Sequence, residues 1–300
     1  MFKEKRDVVG LIGFPVTHSL SPVIHNAAIR ELGLHARYEV HEVRRGEVGE
    51  YLALQPDRFL GTNVTIPHKR EVIESMRDLS PTARATGAVN TVIVKSDSSG
   101  QRYLYGDNTD VAGFLAPLQS HEVARPRIEN GRVVILGAGG AARAVAYAVQ
   151  EFTPDRITIV ARSPAKGERL VEELQTIASS SQSLSSPQFV VEPFDSSRLS
   201  SIVAASDLIV NATPIGLTPL GHITPLPDVA FRDSHVVYDL VYRPRQTRLL
   251  RDATRAGALA IDGVEMLLAQ AAASFVQWFG QEMPLDVVRE ALDDALSAES

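Results

Sequence analysis

The chain has 300 residues, 44% of them hydrophobic, with a formal net charge of −6 and no cysteine. That length suits two domains, and the negative balance argues against a nucleic-acid surface. The lack of cysteine excludes disulfides, thiolate metal sites and cysteine nucleophiles, and fits a reducing, cytoplasmic compartment. The charged N-terminus has no apolar core for a signal peptide, and no run approaches the ~18 apolar residues of a membrane span.

Val8 to Ile12 reads as a short apolar strand ending at Gly13. Ser21-Pro22 then marks a helix start, with Ser21 as the cap and proline in the first turn, and Gly33 stops the helix. Ser19 and Ser21 flank Leu20 at this helix start. Two hydroxyls there serve either as helix-capping groups or as a grip on a polyol or carboxylate. Tyr38, Val40 and Val43 suggest a second strand, and Glu47 to Leu54 a helix.

In GTNVTIPHK, residues 61–69, alternation puts Asn63 and Thr65 on one strand face, opposite Val64 and Ile66. Pro67 is expected to open a helix with Lys69 in its first turn. A lysine there opposes the helix dipole, so stability alone is a poor reason for it. With Asn63 and Thr65 beside it, a functional ammonium is preferred over solvated surface. A short helix is expected from Pro81 to Ala85, then a hairpin of Val89–Lys95 and Arg102–Tyr105 with Asn90 at its start. GDNTD follows, where Asp107 reads as a turn or cap aspartate before an apolar helix from Val111. The polar stretch Leu118 to Asn130 is the expected domain boundary.

The run GRVVILGAGGAARAVAYAV, residues 131–149, organises the second half. An apolar strand leads into Gly137, Gly139 and Ala142 in the G-x-G-x-x-G/A spacing, and an alanine-rich helix follows. Gly137 permits the tight turn, Gly139 lets backbone approach a pyrophosphate, and Ala142 lets the helix pack closely. Backbone N–H groups of Ala138, Gly140 and Ala141 in the same turn and the positive helix end suit phosphate. Five further strand candidates, at 157–161, 188–191, 207–211, 235–240 and 258–261, complete the six strands of a doubly wound parallel sheet. The serine-rich segment 179–187 reads as an inserted loop.

The second of these strands ends at Ala161-Arg162-Ser163, where an NAD site commonly carries an acid. Arg162, Ser163 and Lys166 offer cations and a hydroxyl instead, which favours NADP. NATPIG, with Thr213 and Pro214, closes the fourth strand at the ligand-binding end of the sheet. Val264 to Phe279 is a helix with an apolar side and a polar stripe of Gln270, Ser274 and Gln277, which reads as a solvated face. A last amphipathic helix spans Leu285 to Leu296.

The motifs GFPVTHSLSPVIHN, GTNVTIPHK, GAVNTV, GDNTD, LGAGGAARA, NATPIG, YDLVYRPRQTRLL and MLLAQA, in that order, resemble the shikimate dehydrogenase family and its quinate/shikimate relatives. The resemblance implies an α/β chain in two parts. Residues 1–118 would form a substrate domain with a mixed sheet, joined by the C-terminal helices 264–300. Residues 119–263 would form an NADP-binding Rossmann domain, with the active site in the inter-domain cleft. It implies substrate contacts at Ser19, Ser21, Thr65, Asn90, Tyr242 and Gln270, with Lys69 and Asp107 at the reacting end and Asn63 beside them. It implies cofactor contacts at Gly137 to Ala142, Ala161 to Lys166, Thr213, Pro214, Leu240, Gly263 and Met266. The implied reaction is reversible reduction of 3-dehydroshikimate by NADPH, with no metal. The alternatives are an NAD(P)-dependent quinate/shikimate dehydrogenase and a non-catalytic shikimate-binding regulator. The sequence departs from the family pattern at Ala161, where asparagine is frequent, at Glu265 and at Val111. The partner is a small molecule, with neither nucleic acid nor membrane expected; oligomeric state is not readable, and a homodimer is the assembly to test.

Overall fold

A computed structural model describes residues 6–55, 57–180, 187–218, 221–227 and 229–298. The chain forms two compact units, Met1–Thr109 with Gln270–Ser300, and Asp110–Ala269.

The first unit is built on a six-stranded sheet of order β2-β1-β3-β5-β6-β4. Its strands are β1 (Asp7–Gly13), β2 (Ala36–Glu42), β3 (Phe59–Val64), β4 (Asp78–Leu79), β5 (Thr91–Ser96) and β6 (Arg102–Asp107). The sheet is mixed, as expected: β1 runs parallel to β2 and β3, while β5 is antiparallel to β3 and β6. Between the strands lie α1 (Ser21–Glu31), α2 (Val48–Ala53) and α3 (Pro81–Thr86). The N-cap of α3 is Ser80, whose hydroxyl accepts from Ala83 N at 3.0 Å, and left-handed Gly87 ends the helix. Val8, Ile12, Val64, Val72, Val89 and Val92 bury one face of the sheet against these connections.

Two local readings change here. The N-cap position of α1 is Leu20, and Ser21 is the first helical residue. Ser19 Oγ accepts from Ser21 N at 3.2 Å, so Ser21 is not needed as a cap and its hydroxyl is buried. The buried residues of α1 include Ile24, His25 and Ala28. Lys69 does not enter a helix after Pro67; it sits in a turn ahead of a short 3-10 helix, Glu71–Ser75. The turn is pinned by long-range bonds that local sequence does not encode. His68 Nε2 lies 2.6 Å from Val43 O, and Lys69 O accepts from Val89 N at 2.7 Å.

The second unit carries β7 (Arg132–Leu136), β8 (Arg156–Ala161), β9 (Gln188–Pro193), β10 (Leu208–Asn211), β11 (Val236–Asp239) and β12 (Leu259–Ile261). All are parallel, in the order β12-β11-β10-β7-β8-β9. Numbered within the unit, that is the doubly wound order 3-2-1-4-5-6 read from the other edge. The helices are α4 (Asp110–Ser120), α5 (Ala124–Ile128), α6 (Gly140–Ala148), α7 (Pro164–Ser180), α8 (Leu199–Ala204) and α9 (Arg248–Arg255). Val133 and Ile135 point to one buried cluster and Val134 and Leu136 to another. With both faces covered, the continuous apolar run is explained, each such side chain stabilising by about 1.5–3 kcal/mol.

The boundary expected within 118–130 falls earlier, between Thr109 and Asp110. Phe114, Leu118, Ala124 and Ile128 are wholly buried in the Rossmann core, so α4 and α5 belong to it. The long helix α10 (Gly263–Phe279) starts in the second unit and passes into the first at Gln270; α11 (Leu285–Ser297) packs on α1. Apart from its ends, the serine-rich segment 179–187 lies outside the described residues.

Within the first unit, α10 lies close to the sheet at Gly61. Trp278 Nε1 donates to Val92 O at 3.0 Å, and a Cβ at Gly61 would collide with both groups. Gly61→Ala is expected to lower unfolding free energy by about 1–3 kcal/mol through overpacking. A urea midpoint equal to that of the parent would contradict this close approach.

Candidate functional site

Strand register builds the polar cluster of the first unit. Asn63 pairs with Thr91, and Thr91 with Asp107, so the three residues form one row across β3, β5 and β6. Laterally paired residues share a sheet face. Asn63 Nδ2 donates to Thr91 Oγ1 at 3.2 Å and to Ser274 Oγ at 3.0 Å; its Oδ1 accepts from Tyr38 Oη at 2.8 Å. Thr91 Oγ1 lies 2.9 Å from Ser274 Oγ and 3.2 Å from Thr109 Oγ1. Asn90 uses Oδ1 to accept from Thr109 N at 2.8 Å and Nδ2 to donate to Thr109 Oγ1 at 3.0 Å. Every one of these side chains is buried, so each donor matched to an acceptor avoids a desolvation penalty of about 1–3 kcal/mol.

At the end of the row, Asp107 Oδ1 accepts from Ser80 Oγ, from Thr82 Oγ1 at 2.9 Å and from Asn108 N at 2.7 Å. Its Oδ2 accepts from Gln277 Nε2 at 2.7 Å. The turn aspartate expected from sequence is therefore also the meeting point of α3, β6 and α10. Thr65 and Lys69 follow β3 directly, with Thr65 N bonded to Ile12 O at 2.9 Å, and both are half-buried.

Ser19 and Ser21 are joined, Oγ to Oγ, at 3.1 Å. Burial pushes the ionisation of the Tyr38 phenol far above the usual tyrosine range, with the nearby Ser21 hydroxyl pulling the other way. The same phenol donates to Asn63. His25 stacks on Tyr38 with ring centroids 4.3 Å apart and planes within 1°. Both His25 ring nitrogens are buried without a hydrogen-bond partner, and burial pushes its pKa down to about 3.

That depression predicts a pH effect on stability. The unfolded imidazole takes a proton near pH 6.5 and the folded one near 3, so the unfolded state binds more protons between those values. Stability is fully present above pH 6.5 and declines as pH falls toward 3. Between pH 8 and pH 5 this one group should remove about 2 kcal/mol. His25→Phe keeps an aromatic plate on Tyr38 and should flatten that part of the Tm-versus-pH curve. Identical slopes in parent and variant would show that His25 is not held neutral.

The second unit presents the other set of expected contacts at the carboxyl end of its sheet. Gly137 takes φ +112°, its N–H donates to Val160 O at 2.7 Å, and a Cβ would press on Ala212 O at 3.0 Å. Gly139 faces open space, with nothing within 4 Å of a Cβ, while Ala142 is wholly buried against the sheet. Turn, open cradle and close packing therefore fall on the residues named for them. Ala138, Gly140 and Ala141 lie in the same turn and first helical residues, where N–H groups lack intrahelical partners. This arrangement fits a pyrophosphate.

After buried Ala161, Arg162 and Lys166 are exposed and Ser163 is half-buried. Among the described residues neither cation forms an ion pair. Thr213 N and Oγ1 both donate to Asn211 Oδ1, at 3.0 and 2.6 Å. Asn211 Nδ2 in turn donates to Asp239 at 2.8 Å, and Thr247 Oγ1 donates to the same carboxylate at 2.6 Å. Burial pushes Asp239 up to about 6, against the pull of these donors. Pro214 is exposed at the next position of the turn. A Cβ at Gly263 would collide with the Leu240 carbonyl, and Met266 belongs to the buried core of the unit. Among the described residues no group of His, Asp or Glu could hold a metal ion.

Of the expected substrate residues, Ser19, Ser21, Asn63, Thr65, Lys69, Asn90, Asp107 and Gln270 belong to the first unit and Tyr242 to the second. Tyr38, Ser80, Thr82, Thr91, Thr109, Ser274 and Gln277 were not singled out as site residues. The polar stripe on α10 is not uniformly solvated: Ser274 is fully buried, Gln270 is half-buried and Gln277 is exposed. Its i, i+4, i+7 recurrence on an otherwise apolar helix was the available signal. Asn211, Asp239 and Thr247 were likewise missed, although all three lie within the quoted motifs.

A family model described as the shikimate dehydrogenase substrate binding domain matches residues 11–92. The shikimate 5'-dehydrogenase C-terminal domain matches residues 263–292, and the saccharopine dehydrogenase NADP binding domain matches residues 133–219. The chain is 44% identical over 290 residues to shikimate dehydrogenase (NADP(+)) of Salinibacter ruber, covering 95% of this chain and 96% of that one. A crystal structure of shikimate dehydrogenase in complex with NADP+ superposes with a TM-score of 0.84 at 34% identity, covering 99% of this chain and 98% of that one. The enzyme from Thermus thermophilus, in complex with NADP(H) and shikimate, gives 0.80 at 32% identity over 96% of this chain and 99% of that one. With likeness running through both units at these identities, the chain belongs to the shikimate dehydrogenase family.

Proposed function

We propose that the protein catalyses the reversible, NADP-dependent reduction of the ketone of 3-dehydroshikimate to shikimate. The observation that carries this is 44% identity, over 95% of the chain, to a shikimate dehydrogenase (NADP(+)). The polar row ending at Asp107 and the acid-free basic loop after β8 supply the chemistry that the reaction needs.

Reduction adds a hydride to the carbonyl carbon and a proton to its oxygen. NADPH, when bound, supplies the hydride. In this reading Lys69 donates to the carbonyl oxygen, stabilising the developing alkoxide, and delivers the proton. Asp107 accepts from Lys69, which keeps the ammonium aimed at the reacting oxygen. Ser19 and Ser21 donate to the substrate carboxylate, while Thr65, Asn90, Tyr242 and Gln270 contact the rest of the substrate and buried Asn63 supports them from behind. Arg162, Ser163 and Lys166 hold the 2'-phosphate, and the 137–142 turn holds the pyrophosphate. Thr213, Pro214, Leu240, Gly263 and Met266 would complete the cofactor contacts. The same reading places the enzyme in the cytoplasm, which the absence of cysteine supports.

Absorbance at 340 nm tests the reading, with shikimate or quinate offered against NADP or NAD in separate wells. Turnover of shikimate with NADP is expected to dominate. Comparable quinate oxidation would move the protein to the quinate/shikimate type, and no turnover of either acid would defeat the proposal.

A further inference from the structure

The carboxylate of Asp107 is bonded unevenly. Oδ1 carries three donors, from Ser80, Thr82 and the Asn108 backbone, whereas Oδ2 has Gln277 Nε2 at 2.7 Å. A carboxylate oxygen has two lone pairs, so Oδ1 is saturated and Oδ2 keeps one acceptor direction beside the Gln277 amide. Gln277 therefore fills one of the two acceptor directions of Oδ2 and borders the other.

The placement of Gln277 follows from a match of two spacings. Ser274 is seated on Asn63 and Thr91, and Gln277 reaches Asp107, the next member of the row. Three residues along a helix advance about 4.5 Å, close to the ~4.8 Å between neighbouring strands. Trp278, bonded to Val92 O at 3.0 Å, anchors the same turn of α10. Gln277 itself is exposed, so its side chain adds nothing to the core.

We propose that Gln277 is a positioning residue for the reduction, holding Oδ2 of Asp107 so that the carboxylate faces the reacting end in one orientation. The inference rests on the role given to Asp107 under the proposed function. It concerns a residue that acts only through that carboxylate.

The test compares Gln277→Met, Gln277→Glu, Asp107→Asn and the double variant Asp107→Asn/Gln277→Met in the intact enzyme, by steady-state kinetics over pH and by thermal melting. Gln277→Met keeps length and removes the donor. It is expected to lower kcat about tenfold, the scale of a hydrogen bond to a charged group, with KM for NADPH and Tm unchanged. Gln277→Glu sets two carboxylates against each other and should shift the acid limb of the kcat/KM profile upward by about one pH unit or more. In the Asp107→Asn background, Gln277→Met should cause no further loss.

Parental kcat in Gln277→Met together with a parental pH profile in Gln277→Glu overturns the proposal. So does a tenfold loss that persists in the Asp107→Asn background, or a fall in Tm with kcat intact. Should Asp107→Asn itself turn over normally, the role of Asp107 fails first, and the inference about Gln277 fails with it.

Discussion

Lys69→Ala is expected to lower kcat by about 10²–10⁴-fold, the range for loss of an acid–base group, while KM for shikimate stays within a few-fold of the parent. The reason begins with what the substitution leaves in place. The turn is held by backbone and by His68, through the Lys69 O to Val89 N bond at 2.7 Å and the His68 to Val43 bond at 2.6 Å. Truncating the Lys69 side chain breaks neither, so Tm should change little. Shikimate would keep its hydroxyl and carboxylate partners, which explains a nearly constant KM. The lost group is needed most when negative charge develops on oxygen, and interactions confined to the transition state appear in kcat. Near-parental turnover in a folded Lys69→Ala enzyme would remove Lys69 from the mechanism.

Reversing both charges after β8, Arg162→Glu with Lys166→Glu, is expected to reduce kcat/KM with NADPH by about 10²–10⁴-fold and to leave NADH within a few-fold. Each charge-assisted hydrogen bond to a phosphate is worth about 1.5–3 kcal/mol, and the pair contributes on the scale of its sum. Neither residue is committed to an ion pair among the described residues, and both are exposed, so the reversal should not unfold the unit. The two cofactors differ only in the 2'-phosphate, so their ratio isolates that contact. An unchanged ratio would show that the basic loop does not read the phosphate.

Much of the fold was legible because its signals are local. The turn at Gly137 and Gly139 is encoded within a strand, a turn and a helix adjacent in the chain, and each small residue has its own steric reason. The central Rossmann strands β7 and β10 stood out because both of their faces are buried, which makes their runs Val133–Leu136 and Leu208–Val210 apolar. The Arg102 hairpin is likewise a short-range effect. Ser21 misled because serine before proline is a capping pattern, yet Ser19 takes the backbone N–H and frees Ser21 to face Tyr38. Lys69 misled because proline opens helices, while the turn after it is set by Val43 and Val89, which come from elsewhere in the chain.

From its amino acids alone, then, this chain shows its Gly137 to Ala142 turn and the acid-free loop after the second Rossmann strand, since spacing within a single element carries both, while its two-part α/β plan rests on chain length and on the family resemblance. Tertiary structure decided that Asn63, Thr91 and Asp107 form one row, that buried Ser274 and exposed Gln277 both hydrogen-bond to it, and that Asp239 braces the Thr213 turn through Asn211. Those relations depend on strand register and on where a helix crosses a sheet. Both are set by pairing between residues far apart in sequence, which periodicity within one segment cannot express.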